Sequence, residues 1–380
     1  MISVVIPTYK ERANIERLVE RAGAALSQCG EEYELIIVDD GSPDGTGDEV
    51  LRLGESRPWL RLLLRENERD LSTAVIAGWR IARGDVFGCM DADLQHPPEL
   101  LPALLASLRS TGADIVVGSR HVPGGGVNDW SLARRIVSWT ATLMATVILP
   151  GTLGRVKDPM SGFFMVRRCV LDNAVLKPIG YKILIEVLAK GNYGRIVEFP
   201  FVFEEREKGG SKMNLGTVRK YLAHLLRISV DSGEALRVFK YGLVGAAGAG
   251  VNFFASRWLV RGAHWSLPAG LLGGAVIALL FNFLLNDRFT FLETRRAHPG
   301  WRRTLGRFFA FAAFCGTGVA IYFAVSILLH TTLGLSLGFS LVVGIGIAAI
   351  WNFLLNSNVT WQAWWDRKLL SSTEWKPERP

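Results

Sequence analysis

Val86-Phe87-Gly88-Cys89-Met90-Asp91-Ala92-Asp93-Leu94-Gln95-His96-Pro97 decides how the first half of this chain folds. The apolar run from Val86 to Met90 fits a strand buried on both faces, and it ends abruptly in two carboxylates at i and i+2. The same grammar recurs on either side of it. Val4 to Ile6 is a short apolar strand closed by Pro7, and Leu35-Ile36-Ile37-Val38 is another, followed by the turn Asp39-Asp40-Gly41-Ser42-Pro43-Asp44-Gly45. Leu62 to Leu64 and Ile115 to Val117 read as further strands. Helical periodicity fills the intervals: Asn14 is positioned to cap a helix running to about Gln28, with Ile15, Leu18, Val19 and Ala22 on its buried side.

Continuous apolar strands alternating with helices predict a mostly parallel sheet covered on both faces. In such sheets ligands bind beyond the carboxyl ends of the strands, which is where Asp39, Asp40, Asp91 and Asp93 fall. Two carboxylates at i and i+2 suit a divalent cation held together with a diphosphate, and hard oxygen ligands point to Mg²⁺ or Mn²⁺. Alone, such an acidic triplet reads equally well as a solvated turn. His96 reads as a turn residue rather than a ligand.

The composition changes along the 380 residues. Up to about Asp231 charges mix with short apolar runs; beyond Leu236 come long stretches of Gly, Ala, Leu, Phe and Val. The mean hydropathy of +0.23 averages over this division. A net charge of +8 fits nucleic acid or a membrane surface. No zinc-ligand spacing, basic heptad or aromatic RNA platform accompanies it, and the cations crowd the apolar segments, so the membrane reading is preferred. Cys29, Cys89, Cys169 and Cys315 form no CxxC pair and fit small buried hydrophobes or reduced thiols. The apolar run after Met1 is too short for a signal peptide, so the first half is expected to stay in the cytoplasm.

Four membrane-length segments lie near 238–260, 266–286, 305–329 and 335–356. They repeat: Asn282-Phe283-Leu284-Leu285-Asn286 returns 70 residues later as Asn352-Phe353-Leu354-Leu355-Asn356, and Arg237-Val238-Phe239 returns as Arg307-Phe308-Phe309. A duplicated two-helix hairpin explains both, and its even number of spans gives the two copies one orientation. Arg288, Arg295, Arg296, Arg302 and Arg303 between the second and third spans put that loop on the cytoplasmic side, with the N-terminal half and the tail carrying Arg367 and Lys368. Two stretches ahead of the spans, Leu132 to Leu149 and Val218 to Val230, are amphipathic. They suit helices lying among lipid headgroups, or surface helices packed on the domain core. Asn252, Asn282, Asn286 and Asn352 put amides in or beside the spans, for helix–helix hydrogen bonding or for a transport role in flipping a glycolipid.

Ile6-Pro7-Thr8-Tyr9-Lys10-Glu11, Val38-Asp39-Asp40-Gly41-Ser42 and the Asp91-Ala92-Asp93 segment stand in the order and spacing of a GT-A nucleotide-sugar transferase, and together resemble the family 2 glycosyltransferases. Gly118-Ser119-Arg120, Asp158-Pro159-Met160-Ser161-Gly162-Phe163-Phe164, Tyr181-Lys182-Ile183-Leu184-Ile185-Glu186 and Arg206-Glu207-Lys208-Gly209-Gly210-Ser211-Lys212 narrow the resemblance to polyprenyl-phosphate (dolichyl-phosphate) mannose synthases. The repeated Asn-Phe-Leu-Leu-Asn hairpins resemble the GtrA-type four-span domain. The implied organisation is an α/β GT-A (Rossmann-like) domain over 1–230 with interfacial helices near 132–149 and 216–230, an all-α four-helix transmembrane domain over 235–362, and a cytoplasmic tail over 363–380.

The resemblance also implies roles. Pro7, Tyr9, Glu11, Val38 and Asp40 fall where the family holds base and ribose; Asp91, Ala92, Asp93 and Gln95 fall at its metal and diphosphate site. Arg120, Arg206 and Lys212 match residues at donor or acceptor phosphates, Lys182 a lysine near the donor, and Arg134 with Ser138 the grip on the lipid phosphate. A structural salt bridge is the other reading of Arg120 and Arg206, and headgroup snorkelling that of Arg134. The segment Arg69-Asp70-Leu71-Ser72-Thr73-Ala74 departs from the glycine-rich version of eukaryotic relatives and leaves UDP-glucose as the alternative donor, while the Asp158–Phe164 and Arg206–Lys212 segments make GDP-mannose the preferred one. The expected reaction is a metal-dependent inverting displacement at the cytoplasmic face of the cell membrane, with the acceptor phosphate as nucleophile and 205–215 as a lid over the donor.

Overall fold

The computed structural model describes residues 1–66, 68–128, 132–149, 153, 156–204 and 215–361. Among these, one compact unit runs from Met1 to Thr146 and on to Ile228, and a second takes up the chain from Ser229.

The first unit opens with β1 (Ile2–Thr8), α1 (Arg12–Ser27), β2 (Tyr33–Asp39), α2 (Thr46–Gly54), β3 (Leu60–Leu64) and α3 (Leu71–Ile81). It continues with β4 (Val86–Cys89), α4 (Leu101–Ser110), β5 (Ile115–Ser119), β6 (Gly126–Val127) and α5 (Leu132–Ile148). β7 (Phe164–Arg167), α6 (Ile183–Lys190), β8 (Ile196–Pro200), β9 (Val202–Phe203) and α7 (Leu215–Asp231) complete it. Seven strands form one sheet in the order β3-β2-β1-β4-β7-β5-β8, and β6 pairs with β9 in a small second one. Ile6, Ile37 and Val116 are fully buried, as continuous apolar strands require. Truncating any of these to Ala costs about 2–5 kcal/mol.

Two details differ from the sequence reading. The first helix begins at Arg12 with Glu11 at its N-cap, and Asn14 lies inside the helix with its Nδ2 donating to Glu11 Oε2 at 2.9 Å. Asn14 is thus held by the carboxylate before it instead of capping. More consequentially, β7 runs antiparallel to both neighbours in an otherwise parallel sheet, with Phe164 opposite Cys89 of β4 and Val117 of β5. Reversing that strand puts its start, not its end, beside the carboxyl ends of β4 and β5. The residues preceding Phe164 are therefore delivered to the rim where Asp91 and Arg120 emerge.

The second unit is α8 (Glu234–Arg261), α9 (Leu267–Leu285), α10 (Leu292–Ala297), α11 (Trp301–Ile327) and α12 (Leu337–Leu355), with π-helical turns at Asn286–Thr290, Leu328–Thr332 and Asn356–Thr360. Four helical stretches, Glu234–Arg261, Leu267–Thr290, Trp301–Thr332 and Leu337–Thr360, are long and apolar enough to cross a membrane. The duplication is visible in the packing. A Cβ on Gly248 would strike Asn282, and one on Gly318 would strike Asn352; likewise Gly274 makes room for Ser256 and Gly344 for Ser326. Each helix of a hairpin seats one polar side chain in a glycine notch of its partner helix, the small-residue packing that membrane helices use. Phe291 and Trp361, equivalent positions in the two copies, stack at 4.4 Å, and Trp361 Nε1 donates to the buried Asp287, which also takes Arg307 Nε at 3.0 Å.

Candidate active site

The turn that follows β4 is held in one shape. The Asp91 backbone N–H donates to His96 Nδ1 at 3.2 Å, the Gln95 N–H donates to Asp93 Oδ1 at 3.2 Å, and Leu94 adopts φ +61°. A left-handed leucine costs about 1–2 kcal/mol, and backbone strain of this kind collects at functional loops. Asp91 is one-third exposed while Asp93, Gln95 and His96 are buried. His96 stacks on Phe163 at 5.3 Å and lies between Phe201 and Phe203. Burial pushes its pKa down against the opposing pull of Asp91 and Asp93, so it remains neutral, with Nδ1 as acceptor. His96 is a buried support for the turn, where the sequence suggests only a turn residue.

The segment Asp158–Phe164 touches Arg120, Lys182, Asp91, His96 and Tyr221. Asp158 receives Arg120 in a fork, Nε to Oδ2 and Nη2 to Oδ1 both at 2.7 Å, with the Arg120 N–H adding 3.0 Å. Burial alone would raise the Asp158 pKa, but the Arg120 bonds and charge outweigh it and hold it low. The Met160 carbonyl accepts Lys182 Nζ at 2.7 Å, and its Sδ lies 3.6 Å from the Tyr221 hydroxyl. Gly162 lies so close to Asp91 that a Cβ would meet both carboxylate oxygens at 3.1 Å. Phe163 is the platform under His96. Burial, with Arg120 acting in the same sense and Asp91 and Asp158 against it, lowers the Lys182 pKa to about 8. Asp91, Asp93, Arg120 and Lys182 all lie within electrostatic reach of His96.

A second cluster sits beyond β1 and β2, where Pro7 pairs in register with Val38 and Thr8 with Asp39. Asp39 accepts from Thr8 Oγ1, Ser42 N–H and Ser42 Oγ, fixing the acidic turn. Lys10 (φ +59°) and Glu11 are tied to that turn through Ser42 Oγ at 2.8 Å and Thr46 Oγ1 at 3.1 Å. Asp40 takes Arg65 Nε at 2.7 Å, and burial raises its pKa although Arg65 opposes. Asp70 caps α3 through the Ser72 and Thr73 N–H groups, a cap worth about 1 kcal/mol, and takes the Gly180 N–H at 2.7 Å. Arg69 stands over the Tyr9 ring at 4.9 Å. The segment from Arg69 to Thr73 thus links the Tyr9–Asp40 cluster to the turn at Gly180.

Arg134 is exposed and Ser138 half-buried, one turn apart on α5. Leu132, Ile136, Trp139 and Leu143 form an exposed apolar stripe on this helix, at 74%, 54%, 67% and 43% exposure. The Tyr221 hydroxyl of α7 donates to the Ala141 carbonyl of α5 at 2.8 Å, which joins both helices to Met160. Gln95 Nε2 donates to the Glu204 carbonyl at 2.9 Å, anchoring the chain just before 205–214. Arg206, Lys212 and the expected lid lie outside the described residues. Among the described residues no three His, Cys, Asp or Glu side chains cluster as a metal site, so Asp91 and Asp93 fit a cation only when substrate oxygens and water complete its shell, the habit of Mg²⁺ and Mn²⁺.

Sequence reasoning did not single out Arg65, which organises the loop before α3, nor Gly162, whose lack of a side chain admits Asp91. It quoted Glu186 within a motif but gave it no task. Glu186 is buried against His224 of α7 at 2.8 Å and Lys190 at 2.9 Å; although burial opposes this, these partners and the Lys177 N–H bring its pKa down to about 2.

The glycosyl transferase family 2 description matches residues 3–174, and that of the GtrA/DPMS transmembrane domain matches residues 240–363. A dolichol-phosphate mannosyltransferase of Pyrococcus furiosus is 38% identical over 95% of this chain and 99% of its own. An undecaprenyl-phosphate mannosyltransferase of Micrococcus luteus is 36% identical over 60% of this chain and 93% of its own. A Mycobacterium tuberculosis glucosyl-3-phosphoglycerate synthase, solved with Mn²⁺, uridine-diphosphate-glucose and phosphoglyceric acid, matches with TM-score 0.48 and 23% identity over 60% of this chain and 79% of that one.

A GT-A α/β domain continued by four apolar helices defines a multi-pass membrane glycosyltransferase. Within that class the chain belongs to the polyprenyl-phosphate mannosyltransferase family, of glycosyltransferase family 2 with a C-terminal GtrA-like membrane domain.

Proposed function

We propose that the protein transfers mannose from GDP-mannose to a polyprenyl phosphate of the dolichyl type at the cytoplasmic face of the membrane. The observation that carries this reading is the Asp158–Phe164 segment. It brings the Asp91 carboxylate, a lysine of lowered pKa and, through Tyr221, a helix with an exposed apolar stripe to one short stretch of chain. The names of the family members supply the sugar and the lipid.

In this reading Pro7, Tyr9, Glu11, Val38 and Asp40 receive base and ribose. Asp91 and Asp93, with Gln95 through its amide oxygen and Ala92 lining the turn, hold Mg²⁺ or Mn²⁺ against the donor diphosphate. Such a cation offsets the negative charge that builds on the departing nucleoside diphosphate. Lys182, held by Met160, presents its ammonium to the same diphosphate. Arg134 and Ser138 orient the acceptor phosphate, which is anionic near neutral pH and attacks the anomeric carbon without a strong base, so inversion follows from one displacement. Arg206 and Lys212 act on the phosphates from beyond Glu204. Arg120 contributes its charge from inside the Asp158 fork and sets the position of the segment.

The test is detergent-purified protein given radiolabelled GDP-mannose or UDP-glucose and a polyprenyl phosphate, with and without chelator. Label enters the lipid phase from GDP-mannose and chelator stops it. Preferential labelling from UDP-glucose rejects the donor, and labelling unaffected by chelator rejects the metal.

A further inference from the structure

On the far side of α3 from its buried face, Thr73, Ile76, Ala77 and Arg80 follow the i, i+3, i+4, i+7 spacing of one helix face. They line a groove of about 660 Å³ whose other wall is Leu176 to Pro178 and Arg227 of α7. Ile76, Arg80 and Leu176 also line a second crevice of about 280 Å³, walled by Trp79, Phe87, Leu171 and Val175. The two cavities adjoin at these three residues and are taken together as one channel, charged at one end and largely apolar at the other. Among the described residues, none of those proposed to take donor, metal or acceptor lines either part.

The charged end is unbalanced. Arg65 is taken up by Asp40 and Glu68. Arg80, Lys177 and Arg227 come from three different segments, are all exposed, and have no acidic partner among the described residues; Glu66 is the one unpaired acid on the rim. At the apolar end the carbon surfaces of Trp79, Phe87 and Leu171 are joined by Arg168, seated over the Phe87 ring at 5.8 Å, by Asp172, and by Arg80 at the boundary with the charged end. Leu226 and Val230, exposed at 59% and 68%, flank Arg227 on α7, and in sequence Arg227 precedes the first candidate span by only seven residues. Three unpaired cations at the mouth of an apolar crevice, beside exposed aliphatic side chains, are complementary to an amphiphile with an anionic head.

We propose that this channel binds an anionic membrane phospholipid. Its phosphate sits among Arg80, Lys177 and Arg227, and the first carbons of its chains enter the crevice beside Trp79 and Leu171. The site is separate from the one proposed for the polyprenyl acceptor, and it stands whichever sugar the enzyme transfers.

The experiment counts lipids retained by the full-length protein in detergent, by native mass spectrometry, during titration with dioleoylphosphatidylglycerol or dioleoylphosphatidylcholine. The wild type retains the anionic lipid preferentially, and millimolar inorganic phosphate does not displace it. The triple variant Arg80→Gln, Lys177→Gln, Arg227→Gln loses that preference by about 100-fold, roughly five-fold for each cation. Its unfolding temperature stays at the wild-type value, as expected for exposed positions, and so does its basal transfer in phosphatidylcholine. The charge-keeping pair Arg80→Lys, Arg227→Lys retains the lipid, which separates loss of binding from loss of fold. Equal retention of the two lipids by the wild type, undiminished retention by the triple variant, or displacement by inorganic phosphate alone overturns the proposal.

Discussion

Replacing Arg120 by Met separates a buried support from a phosphate ligand. In the native protein the Asp158 carboxylate has no exposed surface and is neutralised by two 2.7 Å bonds from the Arg120 fork. Met keeps most of the side-chain volume and the backbone N–H but removes the charge, leaving a buried carboxylate opposed by nothing of like strength. Breaking one side of such a pair costs about 3–5 kcal/mol. For a domain of this size each kcal/mol lowers Tm by about 2–4 °C, so a fall of about 6–20 °C is expected. The assay is intrinsic fluorescence of the detergent-solubilised protein during heating, run on Arg120→Met, Asp158→Leu and the double variant. Because the double variant removes both charges, it recovers stability relative to Arg120→Met, with a coupling energy of about 2 kcal/mol or more. Arg120→Met melting with the wild type while losing transfer would refute this reasoning and return Arg120 to direct phosphate contact.

Acid stability tests the buried Glu186. Its folded pKa of about 2 lies below the ordinary 4.5, so its contribution of about 3 kcal/mol is complete above pH 4.5 and disappears as pH falls through 2. Glu186→Gln should therefore be less stable than the wild type at pH 6 and converge with it toward pH 2; an offset constant with pH contradicts this. In the membrane half, Gly248→Leu should lower stability by at least about 1–3 kcal/mol by driving a side chain into Asn282. Gly245→Leu, where a Cβ meets nothing within 4 Å, should not. Equal melting of the two variants would remove the notch from the account.

Much of this architecture could be read from residue pattern because the middles of β1, β2, β4 and β5 are apolar and stop at an acidic or polar turn. Val38 before Asp39 and Met90 before Asp91 mark the strand ends from which ligands are reached. The hairpin repeat was legible because Asn282 and Asn352 occupy matching glycine notches, and a packing constraint that recurs leaves the same letters twice. What could not be read was anything dependent on direction or on partners distant in sequence. Nothing in Phe164-Met165-Val166-Arg167 says that this strand runs against its neighbours, yet that reversal carries Gly162 to Asp91. Arg65 looks like any surface arginine until Asp40 and Asp70 fold around it. His224 looks like one more residue of an amphipathic helix until Glu186 is seen beneath it. Arg120 showed the limit from the other side: a guanidinium in a family motif is compatible with a phosphate or with a carboxylate, and only the fold supplies Asp158.

Asp91 and Asp93 are proposed to hold a divalent cation together with the donor diphosphate. Calorimetric titration of GDP-mannose into the full-length protein, with Mn²⁺ and again with EDTA, tests it most directly when the wild type is set beside Asp93→Ala. The account predicts donor binding that strengthens with metal in the wild type and loses that dependence in the variant. Equal affinity and equal metal dependence in the two proteins would contradict it.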